Sequence, residues 1–276
     1  HEQNAAIDVR VGTEEFSANN FSPFRCNQSG TSAFLSFAMS PTQSVNTSYP
    51  LEKAGEDTGV YKFPAIPNNP FTLFKSWYED NKTTNHLSTN AFCLSTASKE
   101  GRVSSRTLIL RRLDDDGFVL MTDARSKKAK DIRENPYAAA AFLWVSQQDG
   151  LIQSRQVRME GILEELPYDN WKDLYEREPL FAKIRSHVCH QGTSVDWEGL
   201  KKHHDQILQD YKEGVNPLNK PDHVVAYKIN PSMIEFYESV GPRIADRVMY
   251  LKEKKRLEKR KNRRMIRCTT CIQQNG

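Results

Sequence analysis

Between Ala91 and Leu166 the chain alternates short apolar, β-branched or aromatic runs with turn residues, a pattern that predicts strands. The runs fall at Ala91–Ala97, Val103–Leu113, Phe118–Thr122, Tyr137–Val145 and Arg155–Leu166. Ser98-Lys99-Glu100-Gly101 should close the first two into a hairpin. Asp114-Asp115-Asp116-Gly117 reads as a second turn, its glycine supplying a left-handed residue. Tyr137–Val145 is almost continuously apolar, which predicts burial on both faces. Three later runs, Val224–Ile229, Met233–Glu238 and Ile244–Leu251, predict the closing strands.

Helical signals punctuate these runs. Asn69-Pro70 offers a cap followed by proline at the first helical position, and Phe71, Phe74, Trp77 and Tyr78 then share one face. Ser126 can cap a helix over Lys127–Glu134, which Asn135-Pro136 stops. Helical stretches are expected at Pro167–Glu178, Leu180–His187 and Asp196–Gly214. Antiparallel strands joined by short turns, with helices between them, predict an α+β, mainly antiparallel β-barrel. It should occupy residues 63–251, after a Ser-, Asn-, Thr- and Gln-rich segment, 1–62, expected to be disordered. A basic tail, 252–276, should be a solvated arm.

Composition narrows the class. With 276 residues, 38% hydrophobic, and a mean hydropathy of −0.69, the chain can bury one core and leaves polar ends. No run reaches the ~20 apolar residues of a membrane-spanning helix. The opening HEQNAAIDVRVGTEEF lacks a charged-then-apolar leader pattern, and five scattered cysteines do not suggest a disulfide scaffold. A cytoplasmic protein is expected. Residues 252–267 carry ten Lys and Arg against two Glu, a local +8. The net charge is +4, so the rest of the chain carries −4, and nucleic acid is not an expected partner.

The basic residues at strand ends form an ordered set: Arg106-Thr107-Leu108-Ile109-Leu110-Arg111, Met121-Thr122, Ser126-Lys127-Lys128, Gln156, Gln191-Gly192, Tyr237 and Arg247. Its order and spacing resemble the pyridoxine/pyridoxamine 5′-phosphate oxidase family, whose members carry FMN in a split β-barrel with peripheral helices. The resemblance implies that all of these residues bind FMN. Arg106, Ser126, Lys127 and Lys128 would take the phosphate, near a helix N-terminus that favours anions. Thr107 to Arg111 would line the ring, and Gln156 would offer it an amide. It further implies a homodimer, and oxidation of vitamin B6 phosphate vitamers to pyridoxal 5′-phosphate by hydride transfer to the flavin, with oxygen as acceptor.

On the substrate side the resemblance weakens. The family's phosphate clamp of Lys, Tyr, Arg and Ser is matched by Arg111, Leu174, Glu178 and Ala182. A carboxylate at 178 should repel a phosphorylated substrate. In Arg243-Ile244-Ala245-Asp246-Arg247 the family's histidine has become Ala245, while Arg243 survives as the catalytic candidate. Substrate contacts are therefore expected from Arg111 and Arg243. Two alternatives stand beside oxidation of the phosphate vitamers: a flavin-dependent paralogue with another substrate, and a non-catalytic flavin- or vitamer-binding protein. His187-x-Cys189-His190, His203-His204 and Cys268-x-x-Cys271 lack the context of a metal or redox site, so no metal is expected.

Overall fold

The computed structural model describes residues 59–84, 89–148, 150–252 and 264–267. The alternating runs form one antiparallel sheet ordered β2-β1-β5-β6-β7-β4-β3, with β8 on β7 and β9 on β8. These strands are β1 (Ala91–Ala97), β2 (Val103–Ile109), β3 (Arg112–Leu113), β4 (Phe118–Asp123), β5 (Tyr137–Gln148), β6 (Leu151–Glu165), β7 (Val224–Val240), β8 (Asp246–Leu251) and β9 (Arg264–Arg267). The sheet is curled, with helices peripheral to it, as the sequence predicts.

One expected strand divides and two others merge, both for tertiary reasons. The single run Val103–Leu113 breaks at Leu110, where successive N–H groups bond to different edges of the sheet. Leu110 N donates to Asn90 O and Arg111 N to Val119 O, so these two residues form the seam that closes the curl. Conversely, Val224–Ile229 and Met233–Glu238 are one strand, β7, running through Asn230-Pro231. A register shift at Glu160/Gly161 of β6 accommodates the proline, and a Cβ at Gly161 would overlap the Asn230 carbonyl oxygen. Along its other edge β7 pairs first with β4 and then with β8, which splits the barrel.

Gly117 also corrects an expectation. It does not adopt a left-handed conformation; close approach requires it, because a Cβ would lie 2.5 Å from Ile229 O.

The core lies between the inner face of the sheet and α1 (Pro70–Thr84), capped by Asn69 Oδ1 accepting from Phe71 N at 3.1 Å. Phe74 is fully buried, and its ring meets those of Phe118, Phe142 and Trp144. Burial of β5 on both faces is not observed. Phe142 and Trp144 point inward, whereas Tyr137, Leu143 and Val145 are 71%, 63% and 48% exposed, because the curl encloses only one face of the strand.

The remaining helices are α2 (Lys127–Glu134), α3 (Lys172–Glu176), α4 (Leu180–Val188) and α5 (Trp197–Lys212), with a 3-10 turn at Tyr168–Asn170. Trp171 and Tyr175 anchor α3 on Val119, Val224 and Ala226, and so set a helical layer beside the seam. The expected disordered segment lies mostly outside the described residues. Its described end is paired, with Ile244 N bonded to Gly59 O and Tyr61 N to Ile244 O. Most of the basic tail also lies outside them, but Arg264–Arg267 forms β9 along β8, so this part is not a free arm. Cys268 and Cys271 fall outside the described residues. No described helix is long and apolar enough to cross a membrane.

Candidate functional site

The expected site residues separate into two groups. The first gathers around the N-terminus of α2. Ser126 is its cap, accepting from Ala129 N, and β4 delivers Met121 and Thr122 just before it. Lys128 is nearly buried and donates to Thr122 Oγ1 at 3.1 Å and Gln191 Oε1 at 3.0 Å. That second bond draws Gln191 and the left-handed Gly192, past the end of α4, against α2. Arg106 arrives from β2, opposite Leu94, with Nη1 donating to Leu94 O at 3.1 Å and Thr96 Oγ1 at 2.9 Å.

Two like charges therefore share a half-buried space. Burial, then the Arg106 charge, holds the Lys128 ammonium below its ordinary value despite the pull of Asp123. Burial also lowers Arg106, against the pull of Asp131. The cluster is a cationic pocket whose positive charge the protein only partly answers. Lys127 stands apart: its ammonium lies 2.8 Å from Asp131. Burial would raise the Asp131 carboxyl, but hydrogen bonds from Lys127 and Thr96 outweigh it and hold it low.

Around this pocket stand residues that the sequence reading missed. Arg125 clamps Asp123 and reaches Cys189 O at 2.9 Å, which fixes the loop after α4. Asp131 positions both Lys127 and Thr96. The four-residue spacing of Lys127 and Asp131 on one helix was the available signal for that pair. For Thr96, only the fold brings it close.

The second group lies on the outer face of the sheet. Gln156 of β6 pairs with Tyr237 of β7, which pairs with Arg247 of β8, a row crossing three strands. The Arg247 guanidinium sits 5.3 Å from the Tyr237 ring centre. Its Nε is buried without a hydrogen-bond partner and lies 3.5 Å from the buried Glu235. Arg243 stands in the turn after β7, beside the buried Ala245.

The two groups lie toward opposite ends of β7: Thr122 pairs with Val225, and Tyr237 lies twelve residues further along the strand. Between Arg106 and Arg111, Leu108 and Leu110 turn toward the core while Thr107 and Ile109 face out. Arg111, at the seam, is held by Glu178: Nη1 lies 2.8 Å from Oε1, and Nη2 donates to Oε2 at 3.0 Å. Leu174 packs on the Trp171 cluster and Ala182 is buried. His187 turns its ring to Asn219 O at 3.0 Å.

Residues 83–195 match the family described as pyridoxamine 5′-phosphate oxidase. The chain is 30% identical over 186 residues to pyridoxine/pyridoxamine 5′-phosphate oxidase of Salinibacter ruber, covering 67% of this chain and 83% of that one. It is 31% identical over 184 residues to the second such oxidase of Hydrogenovibrio crunogenus, covering 66% and 83%. Against the chloroplastic enzyme of Arabidopsis thaliana it is 31% identical over 186 residues, 67% of this chain and 34% of the longer protein. Among solved structures, PhzG of Burkholderia lata, in complex with tetrahydrophenazine-1-carboxylic acid, superposes with a TM-score of 0.64 at 24% identity. That match covers 77% of this chain and all of the other. A pyridoxamine 5′-phosphate oxidase-related FMN-binding protein of Nostoc punctiforme gives 0.56 at 16% identity, covering 74% and 100%. Both carry the split-barrel fold.

Proposed function

The chain belongs to the pyridoxamine 5′-phosphate oxidase family, and we propose that it is an FMN-dependent oxidoreductase acting as a homodimer on a vitamin B6-type ring. The observation that carries this is the paired Arg106 and Lys128 at the capped N-terminus of α2. Two partly desolvated cations beside a helix N-terminus suit a phosphate of roughly two negative charges, which would relieve their repulsion. The Arg247 guanidinium over the Tyr237 ring, in one row with the Gln156 amide, suits the polar edge of a flat ring. Both donor sets therefore fit FMN.

Their placement toward opposite ends of β7 is consistent with a dimer in which one chain's group completes the cofactor site of the other. A second copy that brings its Gln156–Tyr237–Arg247 row against the first copy's cationic pocket completes the set. The exposed apolar residues Leu143, Val145 and Ile152 lie beside the Gln156 end of that row and supply a surface for such a contact.

Bound FMN would supply the two-electron acceptor. Arg106 and Lys128 would hold its phosphate, with Thr122 and Gln191 fixing the Lys128 ammonium, and Arg243 would orient the substrate. PhzG, of the same fold, binds an unphosphorylated acid, so a paralogue with another substrate is a second reading. The engaged Arg111 favours it.

The test is the visible spectrum of FMN-reconstituted protein, recorded without oxygen before and after adding pyridoxine or pyridoxine 5′-phosphate. Bleaching of the flavin band by either supports an oxidoreductase. A yellow protein that neither compound bleaches would rule out this activity.

A further inference from the structure

Arg111 cannot easily move. Its backbone is part of the seam, with its N–H on Val119 O, and its side chain is 27% exposed. Glu178 is held as firmly. It follows α3 with its N–H on Tyr175 O, precedes Pro179, and its side chain is only 9% exposed. The two meet through both terminal guanidinium nitrogens, Nη1 and Nη2, and both carboxylate oxygens, the geometry with which arginine grips a phosphate.

Three cations flanking this corner in the chain are engaged elsewhere. Arg112 binds Asp114 at 2.6 Å, Arg177 binds Asp173, and Lys183 donates to Glu176 O at 2.8 Å. Nor does Tyr175 restore a hydroxyl here: its OH donates to the carbonyls of Leu218 and Asn219. A phosphate entering this corner would have to expel a nearly buried carboxylate from its partner, or sit beside it uncompensated.

We propose that Glu178 determines specificity by acting as a built-in counter-ion to Arg111, and that the substrate is an unphosphorylated, hydroxyl-bearing heteroaromatic compound. This rests on the reading above, in which Arg111 lines the substrate side of an FMN site. To such a ligand the pair is a neutral surface: a hydroxyl donates to a Glu178 oxygen and accepts from a remaining Arg111 N–H.

The experiment is anaerobic equilibrium dialysis of FMN-loaded protein against pyridoxine and pyridoxine 5′-phosphate, for wild type and Glu178→Gln. Wild type should bind pyridoxine at least as tightly as the phosphate ester. Glu178→Gln frees Arg111 and should tighten phosphate-ester binding by about tenfold or more, the effect of one charge-assisted hydrogen bond, with a much smaller change for pyridoxine. The wild-type comparison stands even where the variant fails to fold. Wild type binding the phosphate ester about tenfold tighter than the alcohol, or binding neither, overturns the inference. Protein that never takes up FMN removes the proposed function and this inference together. FMN-loaded protein that prefers the phosphate ester removes only the inference.

Discussion

Replacing Arg106 with alanine tests the cationic pocket most directly. In the folded chain its Nη1 is engaged by Leu94 O and Thr96 Oγ1, and no partner engages Nε or Nη2 among the described residues. Those two nitrogens carry three N–H donors for an anion. A charge-assisted hydrogen bond contributes about 1.5–3 kcal/mol, so two such bonds to a phosphate would be worth about 3–6 kcal/mol. Part of this returns in the variant, because removing Arg106 relieves the repulsion that lowers Lys128. The expected net loss is about 3 kcal/mol, a rise of roughly a hundredfold in the dissociation constant for FMN.

Titration by quenching of flavin fluorescence, at fixed ionic strength because such contacts are screened by salt, measures it. The fold should survive. Thr96 Oγ1 retains its bond to Asp131, so the loss of stability should be about 1 kcal/mol in urea without FMN. Arg106→Lys keeps the charge and loses the fork, so it should fall between wild type and alanine. An Arg106→Ala variant that is folded and binds FMN within about threefold of wild type would refute the phosphate assignment.

The remaining predictions address the interface, the second cation and the core. Leu143→Glu places a charge on the outer face. Light scattering should show a monomer with weakened FMN binding, while the urea midpoint moves by less than about 0.5 kcal/mol because the side chain is not in the core; a dimer of normal FMN affinity would count against the interface. Lys128 has a lowered value in the folded chain, so its charge is lost below the ordinary lysine range. FMN affinity should decline as pH rises through that lowered value and Lys128→Arg should flatten the decline; identical profiles would argue against a role for Lys128. Without FMN the sign reverses: the cation costs stability at lower pH, and stability should rise as the pH passes from the folded to the unfolded value. Glu238 is 1% exposed and accepts from Arg155, Gln153 and Tyr61. Glu238→Ala leaves Arg155 with Asp80 as its remaining carboxylate and strips Gln153 and Tyr61 of their acceptor, and should cost about 2–3 kcal/mol in urea denaturation; a loss under about 1 kcal/mol would show the network to be replaceable.

Local signals in the sequence located the parts of the site that local interactions build. α2 begins and ends where Ser126 and Asn135-Pro136 place its boundaries, because caps and proline act within one turn. The hairpin of β1 and β2 follows from its turn in the same way. What stayed hidden depends on partners distant in the chain. The break at Leu110 exists because Asn90 and Val119 lie on opposite edges of a closing sheet. The outward face of β5 is apolar like its inward face, so the pattern alone could not show which one the curl leaves exposed. The cofactor candidates fall into two groups toward opposite ends of β7, a division the sequence could not display because order along a chain carries no distance between strands. Arg111 and Glu178 lie 67 positions apart, and charge reversal at 178 predicted repulsion of a ligand without revealing what the carboxylate would hold instead.

That pairing follows from the closure of the barrel. The seam needs a residue at 111 whose N–H bonds to β4, and the side chain there faces the α3–α4 layer regardless of the ligand. A cation fixed in so confined a corner must be answered, either by an anion that comes and goes or by the protein itself. A site answered by the ligand carries an exposed or frustrated charge until the ligand arrives. Glu178 answers it permanently and leaves the corner neutral, which stabilises the ligand-free chain and closes the corner to a dianion. The α2 pocket takes the opposite course. There Arg106 and Lys128 face each other with their repulsion only partly relieved, and the capped helix adds to the positive field. On the proposed reading the α2 cluster keeps a charge for a phosphate to answer, whereas the Arg111 corner has its answer within the chain. The two can diverge independently because the strands and cap of α2 build one, whereas a helical layer that packs on the sheet through Trp171 and Tyr175 builds the other.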